Sequence, residues 1–171
     1  MRYSYFVLAA LAWLANPHAA FAEESGCDKF AWPIHAEQKL LQRADKIAAS
    51  SGQSFSGLPA GPVELKLARL DQGGFEKPPE RAPKNPDSFA GTLKITEAPS
   101  GIIQVSLSDS MWVDAIQAGS YLKPTAHSGA RDCLGIRKVL KFELRKGPVI
   151  FQFSGIEAGS IALLIAPPAL P

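Results

Sequence analysis

The sequence predicts a mainly β protein: an antiparallel β-sandwich, jelly-roll-like or accessory-domain-like, of about seven strands with one N-terminal α-helix. Short segments with period-two hydrophobic alternation recur along the second half of the chain. Gly, Pro or Ser bounds each of them, and no helical pattern separates one from the next, which disfavours an alternating α/β fold. At 171 residues, 46% hydrophobic and 20% charged, the chain has enough apolar content for one packed domain and too much for a disordered one.

Residues 1–22 carry Arg2, an apolar run from Phe6 to Ala15 and the small-residue ending Ala20-Phe21-Ala22, the layout of a secretory signal cleaved after Ala22. That run is about half the roughly twenty residues a bilayer-spanning helix needs, so no stable membrane insertion is expected after cleavage. A periplasmic or secreted location follows. Cys27 does not follow the apolar run directly, which disfavours lipid anchoring. Loss of Arg2 takes the formal charge from +2 to +1, giving no global attraction to nucleic acid or anionic membrane.

Residues 23–62 are expected to form an N-terminal segment and helix packed on a β-sandwich spanning 63–171. Pro33 suits a helical first turn, and Leu40, Leu41, Ala44, Ile47 and Ala48 recur at helical spacing, so the helix is drawn from about 33 to 50. Ser, Gly and Pro then make 51–62 a loop. Val63, Leu65 and Leu67 alternate with Glu64 and Lys66 as a half-buried strand. Residues 71–88 hold four prolines and read as an irregular surface connection inside the sandwich domain.

Six further strands are read at 90–96, 102–108, 111–117, 138–145, 149–154 and 160–166. In the fourth of these, Leu140, Phe142 and Leu144 face the core, while Arg137, Lys141, Glu143 and Arg145 face solvent and guard an edge. The short connections between the last three strands predict an antiparallel meander.

Chemistry-bearing residues concentrate in 111–145. Trp112, Asp114 and Ile116 share one strand face; an inward Asp114 would need a cation or N–H donors, with Arg131, Arg137 and His127 nearest in sequence. His127, Asp114 and Asp132 are the candidate catalytic groups. A Ser128–His127–Asp arrangement can be drawn, but no G-x-S-x-G elbow frames the serine. Arg131, Arg137, Lys138 and Trp112 are the candidate ligand-binding residues, since the basic balance of 131–146 suits a carboxylate or phosphate; its simpler reading is a solvated strand face.

No metal-ligand spacing or cofactor motif occurs, and a facial triad would require His35 and His127 to converge with a carboxylate. No metal and no cofactor are therefore assigned. In an oxidising compartment Cys27 and Cys133 are expected to pair, against the rival reading of Cys133 as a thiolate nucleophile or ligand. The expected function is a non-enzymatic binding or accessory domain for a small molecule or an envelope protein, without nucleic acid.

Trp112-Val113-Asp114, Gly119, His127-Ser128-Gly129, Asp132-Cys133, Ile136-Arg137-Lys138, Phe142-Glu143-Leu144, Gly147 and Gln152-Phe153-Ser154-Gly155 together resemble a family of small exported bacterial β proteins. The likeness covers roughly 88–166, with Cys27 matching before it. It implies a signal peptide, a cysteine near the mature N-terminus and a sandwich like those of secreted accessory domains. Some members carry the label homogentisate 1,2-dioxygenase, which implies the alternative of a metal-dependent enzyme using His127 with a nearby carboxylate.

Overall fold

The structure, a computed structural model, describes residues 26–168; the proposed signal peptide lies outside them. Two packed sheets and one helix confirm the β-sandwich, although the described residues hold twelve strands where about seven were expected. Helix α1 (His35–Leu41) precedes β1 (Ile47–Ser50), β2 (Gln53–Phe55), β3 (Val63–Lys66), β4 (Ala68–Arg69), β5 (Phe89–Ala98) and β6 (Gly101–Leu107). Strands β7 (Trp112–Gln117), β8 (Ser120–Leu122), β9 (Ala126–Gly129), β10 (Lys138–Leu144), β11 (Gly147–Ile156) and β12 (Ser160–Ala166) follow. One sheet, here the front sheet, runs β1-β3-β12-β6-β10-β9. The back sheet runs β2-β5-β11-β7-β8, with β4 also paired to β5.

The core lies between the sheets, where the period-two face of each strand turns inward. Leu65, Ile103, Val105 and Phe142 of the front sheet meet Leu93, Val113, Phe151 and Phe153 of the back sheet. The rings of Phe142 and Phe151 pack edge to face, with centroids 6.0 Å apart. Burial of such large side chains, at about 25 cal/mol per Å² of apolar surface, is the main term holding the sheets together.

Four sequence expectations are corrected. The helix stops at Leu41, because Arg43 and Asp45 bond to each other at a bend and Ile47–Ser50 pairs in parallel with β3 instead. Ile47 and Ala48 continue the helical spacing of Leu40, Leu41 and Ala44, while Ile47 and Ala49 fit a strand alternation, and tertiary pairing decides between them. The 51–62 loop contains β2, which pairs in parallel with β5.

The expected meander is absent. Strand β10 pairs with β6 and β9 in the front sheet, β11 with β5 and β7 in the back sheet, and β12 returns to the front sheet between β3 and β6. The turn at Arg145-Lys146 is short because it crosses between stacked sheets, a gap of about 10 Å. Nor is β10 an edge: β9 covers it, so its outer face guards nothing.

Residues 118–136, between the strands read at 111–117 and 138–145, contain β8 and β9. Strand β8 folds back on β7 through Ala118 (φ 50) and Gly119 (φ 73), a two-residue turn with both central residues in the left-handed region. Asn-Gly is the usual signature of that turn, and Ala-Gly hides it.

Both outer faces are covered. Over the front sheet, Phe30, Ile34 and Leu41 of the N-terminal segment pack on Val139, Ala162 and Leu164. The Cys27–Cys133 disulfide, with Cα atoms 4.6 Å apart, fastens this segment to the sandwich, as the compartment argument expected. Over the back sheet the proline-rich connection lies as a strap. Gln152 Oε1 accepts from the N–H of Glu76 (2.7 Å) and Lys77 (3.1 Å), while its Nε2 donates to Lys77 O (2.9 Å). The Tyr121 hydroxyl donates to Pro78 O, and Lys123 pairs with Glu80 at 2.6 Å. Prolines keep the strap from joining a sheet or helix, and side chains of the back sheet supply the polar partners its backbone still needs.

Candidate functional site

Trp112, Asp114 and Ile116 do share a face, but it is the outer face of the back sheet; the strap, not the core, buries them. Asp114 is 3% exposed. Its Oδ1 accepts from Trp112 Nε1 at 2.6 Å and its Oδ2 from the Glu80 N–H at 3.3 Å. Burial pushes its carboxyl above the ordinary carboxylate range, and these two donors partly offset the rise. None of Arg131, Arg137 and His127 is its partner. Asp114 thus fastens the strap and steers the Trp112 ring.

That fastening shapes a cleft of about 340 Å³ between the far end of the strap and the sheet, with Arg81, Lys84, Trp112, Lys138, Ser154 and Glu157 in its lining. Lys138 stands at the start of β10, and its Nζ donates to Met111 O at 2.7 Å. The Arg81 guanidinium lies 5.7 Å and the Lys138 ammonium 5.6 Å from the Trp112 ring centroid, within cation–π range. Burial, and then the positive charge of Arg81, lower the pKa of Lys138.

A second cleft of about 250 Å³ adjoins the first, since Ser110 and Lys138 line both. His127, Ser128, Arg131 and Arg137 complete its polar lining, so the candidate residues His127, Arg131, Arg137 and Lys138 meet in this cleft. Strand β9 presents His127, and the turn after it presents Arg131. Among the described residues Arg81, Lys84, Arg131, Arg137 and Lys138 form no ion pair. Glu157 is, among the described residues, the one carboxylate lining either cleft.

The proposed catalytic groupings do not assemble. His127 is exposed on β9 of the front sheet, whereas Asp114 lies under the strap on the back sheet. Asp132 sits in the disulfide corner, where its backbone closes against Gly26: a Cβ there would come within 2.4 Å of the Asp132 carbonyl carbon. Ser128 Oγ accepts from the Ala31 N–H at 2.9 Å, and Cys133 is committed to the disulfide. Among the described residues no three His, Cys, Asp or Glu side chains lie close enough to share a metal ion.

The sequence reading missed Arg81, Lys84, Ser154 and Glu157. The cations were visible in Lys77-Pro-Pro-Glu-Arg-Ala-Pro-Lys84, but a proline-rich run gives no sign of the face it will cover. No family model matches the chain, and no curated protein or solved structure matches it. Among the described residues no helix is long and apolar enough to cross a membrane, and the disulfide is compatible with an exported protein.

Proposed function

We propose that the chain is an exported, non-enzymatic binding protein of the periplasm or the extracellular medium, and that its ligand is a small anionic molecule held in the joined clefts. One observation carries this reading: cations from the strap, from β10 and from the turn after β9 line two adjoining clefts that share Ser110 and Lys138, with a single carboxylate among the described lining residues. A solvated basic face would scatter its charges over convex surface; here they surround a space of the size small ligands occupy, about 300–1,000 Å³ when the two parts are taken together. Arg131, Arg137, Lys138 and Trp112 are the binding residues, and the disulfide holds the Arg131 turn in place. His127 contributes a hydrogen-bonding group at the rim.

Titration with tripolyphosphate, a compact multiply charged probe, tests the reading. The mature protein should bind it with an affinity that falls as salt rises, and Arg131→Ala/Arg137→Ala should weaken binding at least roughly tenfold, the loss of one or more charge-assisted hydrogen bonds. Absence of binding by the unaltered protein at low salt, or an undiminished affinity in the double variant, overturns it.

A further inference from the structure

The polar groups on the outer face of the back sheet form a short row, and the strap satisfies them unevenly. Gln152 has both ends of its amide bonded to strap backbone, and Asp114 accepts from Trp112 and from Glu80. Ser154, two residues beyond Gln152 on β11 and directly opposite Trp112 in the strand register, is left out. Its side chain is 2% exposed, its Oγ has no hydrogen-bond partner, and it lines the first cleft. A buried hydroxyl left without a partner costs about 1–3 kcal/mol.

Lys138 is also incompletely matched. The bond to Met111 O uses one of three ammonium donors, and no carboxylate among the described residues pairs with it or with the nearby Arg81. Two cations drawn to one indole ring and repelling each other are destabilised until an anion sits between or beside them. Glu157, the acid of this cleft, is exposed and forms no ion pair with either cation.

We infer that Arg81, Lys138 and Ser154 Oγ form an oxyanion subsite that takes the phosphate, sulfate or carboxylate group of the ligand. This rests on the binding reading above and fixes the end of the ligand: its oxyanion lies beside Trp112, and the remainder extends past Lys138 toward Arg131 and Arg137. The two cations supply charge, and the serine hydroxyl donates one hydrogen bond from the floor.

Thermal unfolding of the full mature chain in sodium phosphate, sulfate, acetate and chloride at matched ionic strength tests the subsite. Sulfate and phosphate raise midpoints generally through exclusion from protein surfaces, so at least one oxyanion should raise the midpoint above the chloride value by more than it does in Ser154→Ala. A lead for phosphate assigns a phosphorylated ligand, one for sulfate a sulfated ligand, and one for acetate a carboxylate ligand. Ser154→Ala should keep or raise the midpoint in chloride, because it removes an unmatched hydroxyl, yet weaken oxyanion binding roughly tenfold, the loss of a hydrogen bond to a charged group. Lys138→Met should weaken it at least as much. No oxyanion exceeding chloride, or an unchanged response in Ser154→Ala, overturns the subsite. If tripolyphosphate binding still depends on Arg131 and Arg137 in that case, the broader reading survives and the subsite alone is wrong.

Discussion

Replacing both cysteines, Cys27→Ala/Cys133→Ala, tests what holds the N-terminal cover on the front sheet. The bridge joins positions 106 residues apart. Closing a loop of that length removes about 16 cal/mol/K of entropy from the unfolded chain, or about 4–5 kcal/mol at 25 °C. For a chain of this size each kcal/mol moves the unfolding midpoint by about 2–4 °C, so a fall of roughly 10–20 °C is expected. Urea or guanidinium unfolding of the double variant, and of the unaltered protein with and without reductant, gives the same quantity as a free energy.

Two routes to a loss of stability separate in that experiment. If the bridge acts on the unfolded chain, the N-terminal segment stays docked by Phe30, Ile34 and Leu41, which are 8%, 2% and 3% exposed. Amides of α1 then remain protected in hydrogen exchange until global unfolding. If the bridge alone keeps the segment in place, α1 exchanges early while β6 and β12 stay protected. A total loss below about 1 kcal/mol refutes the loop-entropy reasoning, and early exchange of α1 refutes the claim that packing suffices to dock it.

Two further perturbations address the strap and its latch. Gln152→Ala removes three hydrogen bonds to strap backbone and should cost about 2–4 kcal/mol in urea unfolding, with new protease cleavage between residues 73 and 88; unchanged proteolysis would show that the strap is held by other contacts. Because burial raises the carboxyl pKa of Asp114 in the folded state, its contribution to stability is most favourable below the unfolded carboxylate range near 4 and is lost as pH rises toward the folded value. Asp114→Asn cannot titrate, so the stability of the unaltered protein relative to this variant should fall with rising pH across that window and level off above it. A constant or rising difference in parallel urea titrations contradicts the assignment.

Local periodicity made the central strands legible. Leu140, Phe142 and Leu144, or Val63 and Leu65, alternate with polar neighbours, and alternation alone places them on a buried strand face. The cysteine count, together with the expectation of export, was enough to expect the bridge. Where local signals were ambiguous the reading failed: Ile47–Ser50 fits two periods, β2 and β8 have three residues each, and Ala118 disguises a hairpin turn.

The candidate site was half legible for the same reason. His127, Arg131, Arg137 and Lys138 lie close together in the chain, and their crowding marked them. Arg81 and Ser154 come from segments more than twenty and more than ten residues from that cluster, and only the strap and the pairing of β11 with β7 bring them to Trp112. The sequence by itself determined that the chain makes strands, which face of most of them is apolar, and that two thiols are available to pair. Tertiary structure decided which sheet each strand joins, that the strap rather than the core buries Asp114, and that cations from distant segments line two adjoining clefts. Alternation is a property of neighbouring residues, whereas the cover over an outer sheet face is chosen by contacts that form only once both sheets have packed.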